Sequence, residues 1–208
     1  MCLSLVGSEM CIRDSSCTGP AEIFTITVNP TGQVDAIDSQ ILCNADETAA
    51  IAFSTENTGG TTTYAWVNDT PSIGLASSGN GDIDSFNVVN NGNEPVTATV
   101  VVTPSFEGCT GPEETFTITV NPTAEMNDPE DMVVCNAEVT DAVEFTTDNT
   151  GGTTTYTWIN DTPAIGLAAT GSGDLPSFTA INTGTEPIVA TVVVTPLFTD
   201  DINCDGIS

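Results

Sequence analysis

The stretch TTTYAWVNDTPSIGL, from Thr61 to Leu75, returns 92 positions later as TTTYTWINDTPAIGL, from Thr153 to Leu167. A chain of 208 residues that copies itself at this spacing is an array of units of about 92 residues, close to the ~100 of a small β-sandwich. The copying extends well beyond that stretch. Cys43 matches Cys135, Phe53 matches Phe145 and Phe86 matches Phe178, and the register runs without a gap to Phe106 and Phe198. CTGPAEIFTITVNPT at Cys17 recurs as CTGPEETFTITVNPT at Cys109, so residues 16–29 read as the last strand of a further, truncated upstream repeat.

Local patterning points to strands throughout. Phe24, Ile26 and Val28, like Phe116, Ile118 and Val120, alternate with threonines, which gives one buried and one wet face. Val96, Ala98, Val100 and Val102 do the same, and repeat two copies them as Ile188, Ala190, Val192 and Val194. Asn29-Pro30 and Asn121-Pro122 stop their strands, because proline cannot donate to a ladder and restricts the residue before it. Strands are expected near 40–43, 48–55, 62–68, 83–90, 95–104 and 114–121, with turns at Thr58-Gly59-Gly60, Gly79-Asn80-Gly81 and Asn91-Gly92. These boundaries organise the chain into 16–29 as an orphan strand, 30–121 as repeat one, and 122–208 as repeat two without its last strand. Residues 1–15, MCLSLVGSEMCIRDS, share nothing with the repeats and resemble translated sequencing-adapter read-through. They are expected to be a disordered, non-native leader.

The motif set TxYxWxNDxPxIGL, GD followed by SF, EP before ATVVVTP, and CTGP before FTITVNPT resembles the PKD-like repeats. These are immunoglobulin-type sandwiches found in tandem in large secreted surface proteins of environmental bacteria. The resemblance covers residues 16–208. It implies an all-β chain of two tandem immunoglobulin/PKD-like β-sandwich domains preceded by an orphan β-strand, acting as an extracellular spacer or adhesive module. One feature departs from PKD domains proper: Trp66 leads into Val67-Asn68-Asp69 rather than an Asp-Phe-Gly-Asp-Gly type segment.

Charge narrows the function. The formal net charge is −28, the only basic side chain is Arg13, and there is no histidine. Such a surface repels phosphate and has no cations with which to displace counterions, so nucleic acid is effectively excluded as a partner and anionic lipid surfaces are disfavoured. The apolar run Leu3 to Val6 is too short for a signal peptide or a membrane span, so membrane insertion is not expected. Without histidine, and without lysine or arginine in the repeats, no Ser-His-Asp triad, Cys-His pair, Schiff-base lysine or arginine clamp can be assembled. A carboxylate pair for glycoside hydrolysis would need a pocket with a raised-pKa acid, which small sandwiches rarely provide. The chain is therefore read as no enzyme and as requiring no cofactor.

Three residue sets remain. Cys43, Cys109, Cys135 and Cys204 lie at repeat-equivalent places, one before the second strand and one in the last hairpin, and read as structural disulfides of an oxidising compartment. Each repeat owns one matched pair, which favours Cys43 with Cys109 and Cys135 with Cys204, Cys17 having lost its mate. The rival is a junction bridge: in an immunoglobulin-like topology the two cysteines of one repeat tend to lie at opposite poles, bringing Cys43 near Cys204. Tyr64, Trp66, Tyr156 and Trp158 centre the copied strand and are expected in the core, although exposed aromatics there would make a sugar-stacking platform. Asp201, Asn203 and Asp205 spell DxNxDG with Gly206, the opening half of an EF-hand-type or dockerin-type loop, and are candidate calcium ligands. Cys204-Asp205-Gly206 aligns with Cys109-Thr110-Gly111 after a three-residue insertion, however, which favours a hairpin turn.

The function expected from this is a non-catalytic spacer or adhesion segment of a secreted or surface-anchored protein. Its partners would be neighbouring repeats of the same chain, with glycans or surface proteins as candidate ligands. The alternative is a carbohydrate-binding accessory module of a secreted polysaccharide-degrading enzyme. Because repeat two ends without a counterpart of Thr115 to Val120, its sheet is expected to present an open edge, and Glu22 to Asn29 carries the pattern that would fill it.

Overall fold

A computed structural model describes residues 21–206. The leader 1–15 and Cys17 lie outside the described residues. The fold is all-β. Its first sheet comprises β1 (Gln40–Cys43), β2 (Thr62–Asn68), β3 (Ser78–Asn80), β4 (Val96–Phe106), β5 (Cys109–Thr110) and β6 (Glu114–Asn121), in the order β1-β6-β4-β2-β3, with β5 folded back on the end of β4. The second comprises β7 (Thr153–Asn160), β8 (Thr170–Ser172), β9 (Val192–Asp200) and β10 (Ile202–Asp205), in the order β10-β9-β7-β8.

The period-two pattern does what the sequence requires. Along β4 the inward set Ala98, Val100 and Val102 is buried, and β6 opposes it with Phe116, Ile118 and Val120. The facing layer of this first sandwich is made of the segments around 46–53 and 82–88. The sequence pattern predicts full strands for both. They meet instead through isolated bridges, Glu47 with Asn87 and Ile51 with Ile83, because side chains take over several ladder positions. Asp82 Oδ1 accepts from Phe53 N and Thr48 Oγ1 from Phe86 N, so the backbone donors are satisfied without regular pairing. The Gly79-Asn80-Gly81 stretch, expected as a turn, is largely strand β3. Gly79 lies flat against the Trp66 indole, leaving no room for a Cβ, and Gly171 repeats this under Trp158.

The pairing of β1 with β6 sets the positions of the cysteines. Strand β1 runs parallel to β6, so Cys43 lies level with Asn121, at the end of β6 from which the chain leaves for repeat two. Cys109 precedes β6 and so lies near its other end.

The second sheet differs in one respect. Strand β9 begins only at Val192, whereas its counterpart β4 begins at Val96, equivalent to Ile188. Ile188 to Thr191 and Met132 to Cys135, the counterparts of the start of β4 and of β1, take part in no strand. In the first sheet the counterparts of these two segments, β1 and the start of β4, both pair with β6. Residues 22–29, expected as a strand, have none either: among the described residues nothing pairs with them, and their apolar side chains are exposed.

Candidate functional site

The place where the two sheets are joined is the most constructed feature of the molecule. Cys43 is bonded to Cys204 across it, with Cα atoms 5.4 Å apart. The expected pairing of Cys43 with Cys109 and of Cys135 with Cys204 is corrected: Cys109 and Cys135 are free thiols. The reason is strand direction. The parallel pairing of β1 with β6 puts Cys43 at the far end of an 8-residue strand from the Cys109 hairpin. At ~3.3 Å per residue that strand spans roughly 26 Å, against the 4.4–6.8 Å between Cα atoms that a disulfide tolerates. The junction alternative named from immunoglobulin-like topology is the one the structure adopts.

Around the bridge the chain turns from one sheet into the other with its polar groups largely matched. Asn121 is fully buried and its Nδ2 donates to Asp200 O at 2.8 Å. Asn44 Nδ2 donates to Thr123 Oγ1 at 3.0 Å, and Thr150 N to Asn93 O at 2.8 Å. Ala124 forms a parallel bridge with Gly206, and a Cβ on Gly206 would come 2.5 Å from Ala124 O, so this position keeps the two backbones in contact. Ala124, Phe198 and Cys204 form a small buried cluster of their own, with Cys43 and Ile202 packed on it. One staple, a set of cross-junction hydrogen bonds and an apolar plug thus act on the same few residues.

The other sequence-selected residues fall in two groups. Trp66, Tyr156 and Trp158 are buried and Tyr64 is partly so; Phe53 stacks on Tyr64 at 5.3 Å and Phe145 on Tyr156 at 5.5 Å, both tilted. Burial raises the pKa of both phenols. The buried Trp66, Tyr156 and Trp158 offer no open face to a sugar, and Tyr64 is only partly exposed. The one exposed aromatic among the described residues is Phe24.

Asp201, Asn203 and Asp205 lie on the last hairpin. Asp201 occupies its turn with φ 56, and Asn203 and Asp205 point outward from β10 on either side of the buried Cys204. Thr199 Oγ1 donates to Asn203 Oδ1 at 3.1 Å. A calcium loop converges its ligands by wrapping around the ion, and a strand splays them. Among the described residues no group of three or more Cys, Asp or Glu side chains gathers to hold a metal.

Two aspartates outside these sets clamp the backbone. Asp69 Oδ1 accepts from Thr99 N at 2.7 Å and from Thr70 Oγ1, and Asp161 repeats this with Thr191 N at 2.8 Å and Thr162 Oγ1. The backbone donors hold both carboxyls below the usual carboxylate range. The signal for them in the sequence is the repeated Asn-Asp-Thr-Pro.

No known protein family matches the chain, and no curated protein does. Among solved structures it is similar to the FN1–FN3 domains of chicken CNTN1, at 11% identity and a TM-score of 0.29 over 85% of this chain and 66% of that one. It is also similar to SGBP-B of the Bacteroides ovatus mixed-linkage glucan utilization locus, solved with a mixed-linkage heptasaccharide. That match has 14% identity and a TM-score of 0.27, over 91% of this chain and 47% of that one. The chain thus spans less than two thirds of either. Among the described residues no helix is long and apolar enough to cross a membrane.

Proposed function

We propose that the chain is a non-catalytic, load-bearing spacer of a secreted or surface-anchored protein. It would be built from PKD-like units at 30–121 and 122–208. The observation that carries this reading is the Cys43–Cys204 bridge, which joins two repeats to each other rather than closing either one. A bridge within a unit would stabilise that unit. A bridge between units fixes their connection, which is what a spacer requires. The same bond supports an oxidising, extracellular setting. The acidic surface keeps such an array soluble and non-adherent to other anionic surfaces.

The test is mechanical. Pulled from its two ends, the oxidised chain carries force through the bridge, and the intervening chain, with a sequence separation of 161, is shielded. Reduction should release roughly 530–580 Å of additional extension, at ~3.3–3.6 Å per residue. Full extension of the oxidised chain would overturn the reading. The carbohydrate-binding alternative is checked on a glycan panel, where the buried positions of Trp66 and Trp158 lead us to expect no binding.

A further inference from the structure

We propose that two copies of this chain pair through the outer face of the first sheet, each laying a ridge formed by Val67 and Val101 into a trough on the other. The face is set by the alternation along β2 and β4. Trp66, Asn68, Val100 and Val102 point into the sandwich and are buried, so Thr63, Ala65 and Val67 of β2 and Val101, Thr103 and Ser105 of β4 point away from it. Antiparallel register sets them in three rows: Thr63 beside Ser105, Ala65 beside Thr103, and Val67 beside Val101. Successive rows are ~6.8 Å apart along the strands.

The rows differ in height and in chemistry. Val67 and Val101 carry branched apolar side chains, and Val67 is 55% exposed. Over the other two rows the surface sinks into a trough of about 570 Å³, walled by Asn80 of β3 and Thr110 of β5. No charged residue lines it. Its threonines already spend their donors on the protein: Thr63 Oγ1 donates to Ser105 O at 3.3 Å and Thr103 Oγ1 to Glu113 Oε1 at 3.4 Å. Little hydrogen bonding is lost when water is displaced from such a floor.

A second copy is the occupant that these features specify. In a chain of formal charge −28, an anionic partner is repelled, and a cationic one is drawn to the carboxylates elsewhere instead of to this face. What fits an uncharged ridge beside an uncharged trough is another ridge and trough. A two-fold axis between the copies, crossing the strands at the level of Ala65 and Thr103, reverses strand direction and sets each Val67–Val101 row over the other copy's Thr63–Ser105 row. The two sheets then pack face to face, as the layers of a sandwich do at ~10 Å.

Repeat two bounds the stoichiometry. It keeps the ridge as Ile159 and Val193, but at the trough positions it has Thr157 for Ala65, Leu197 for Ser105 and Asp205 for Thr110. Larger side chains and a carboxylate occupy the place where a ridge would settle. The pairing therefore closes at two copies. Rim carboxylates oppose it: Glu113, held beside Thr103, comes opposite the other copy's Glu113, and Asp69, beside Thr99, comes toward its Glu107, beside Thr61. Association strengthens as salt screens that repulsion.

The experiment is analytical sedimentation of the full 208-residue chain with its free thiols alkylated, so that the Cys43–Cys204 bridge stays and no new disulfide forms. Chain concentrations run from ~10 µM to ~1 mM, the range of a small, weak interface. Sodium chloride is set at about 0.1 M and about 1 M, where the Debye length is ~10 Å and ~3 Å. A monomer–dimer equilibrium that shifts toward dimer at the higher salt is expected. Val67→Asp with Val101→Asp should weaken it roughly tenfold or more, because a carboxylate buried there has no partner. Ala65→Thr with Ser105→Leu, the residues repeat two carries, fills the trough and should weaken it as much, although the face becomes more apolar. Glu113→Gln should strengthen the dimer at the lower salt and change it little at the higher. Circular dichroism melts and recovery of the Cys43–Cys204 peptide check that each variant is folded. A monomer throughout, assembly beyond two copies, or a dimer that survives either double variant would each overturn the proposal.

Discussion

Trp66 and Trp158 occupy the same place in the two repeats but differ in one bond. Trp66 Nε1 donates to Gly81 O at 3.1 Å, while the buried Trp158 Nε1 has no partner among the described residues. Replacing either ring by Ala should cost ~3–5 kcal/mol, as for other buried tryptophans. Replacement by Phe separates them: Trp66→Phe forfeits a net hydrogen bond worth about 0.5–1.5 kcal/mol, whereas Trp158→Phe removes a donor that was already unsatisfied. Denaturant unfolding of the two variants should therefore show Trp66→Phe to be the more destabilised. The aspartate clamps add a pH signature. Asp69 and Asp161 have pKa values depressed by the Thr99 and Thr191 amides, so the stability they contribute is present above the unfolded-state pKa and is lost as pH falls through the folded-state value. The destabilisation caused by Asp69→Asn should be full at neutral pH and shrink toward zero in acid, read as the difference in midpoint between variant and parent. A gap that stays constant across that range would assign the clamp to geometry alone.

At the scale of elements, four strands of the first sheet were legible in the sequence: β4 and β6 fall where Val, Ala, Ile and Phe alternate with Thr, β2 falls on the copied Tyr64-Trp66 run, and β1 on Gln40–Cys43. The same grounds predict strands at 48–55 and 83–90. These segments are not regular because Asp82 and Thr48 take backbone donors that a ladder would have used, a competition that hydropathy does not display. Orientation was the harder matter. Matching Cys43 with Cys109 rests on each repeat owning two cysteines, but whether two residues can meet depends on strand direction, and β1 running parallel to β6 separates them. Topology, not residue count, carried the signal. Non-reducing peptide mapping of the chain should recover Cys43 joined to Cys204, with Cys109 and Cys135 of the monomer reacting as free thiols. Cys43→Ser with Cys204→Ser should lower stability by ~2–4 kcal/mol, the usual worth of a disulfide.

For the whole molecule the dominant physical quantity is its charge of −28, and how that charge is relieved distinguishes two accounts of the DxNxDG run. If the array is stabilised only by screening, any salt weakens the repulsion among carboxylates, and the effect depends on ionic strength through the Debye length, ~10 Å at 0.1 M. If Asp201, Asn203 and Asp205 bind calcium in the folded state alone, calcium adds RT ln(1 + [L]/Kd), about 2.7 kcal/mol at a hundredfold excess over Kd. The structure places Asp201 in a turn and the other two along a strand, with Asn203 Oδ1 already accepting from Thr199. A site would have to dissolve the hairpin that buries Cys204 in the junction plug, so ion binding would oppose the bridge instead of reinforcing it. Millimolar calcium and sodium chloride at equal ionic strength should therefore raise the melting temperature to nearly the same extent. The Asp201→Asn variant should track the parent in both salts. A calcium-specific rise that Asp201→Asn removes would instead show that the last hairpin rearranges around the ion, and the junction would then be a calcium-responsive joint.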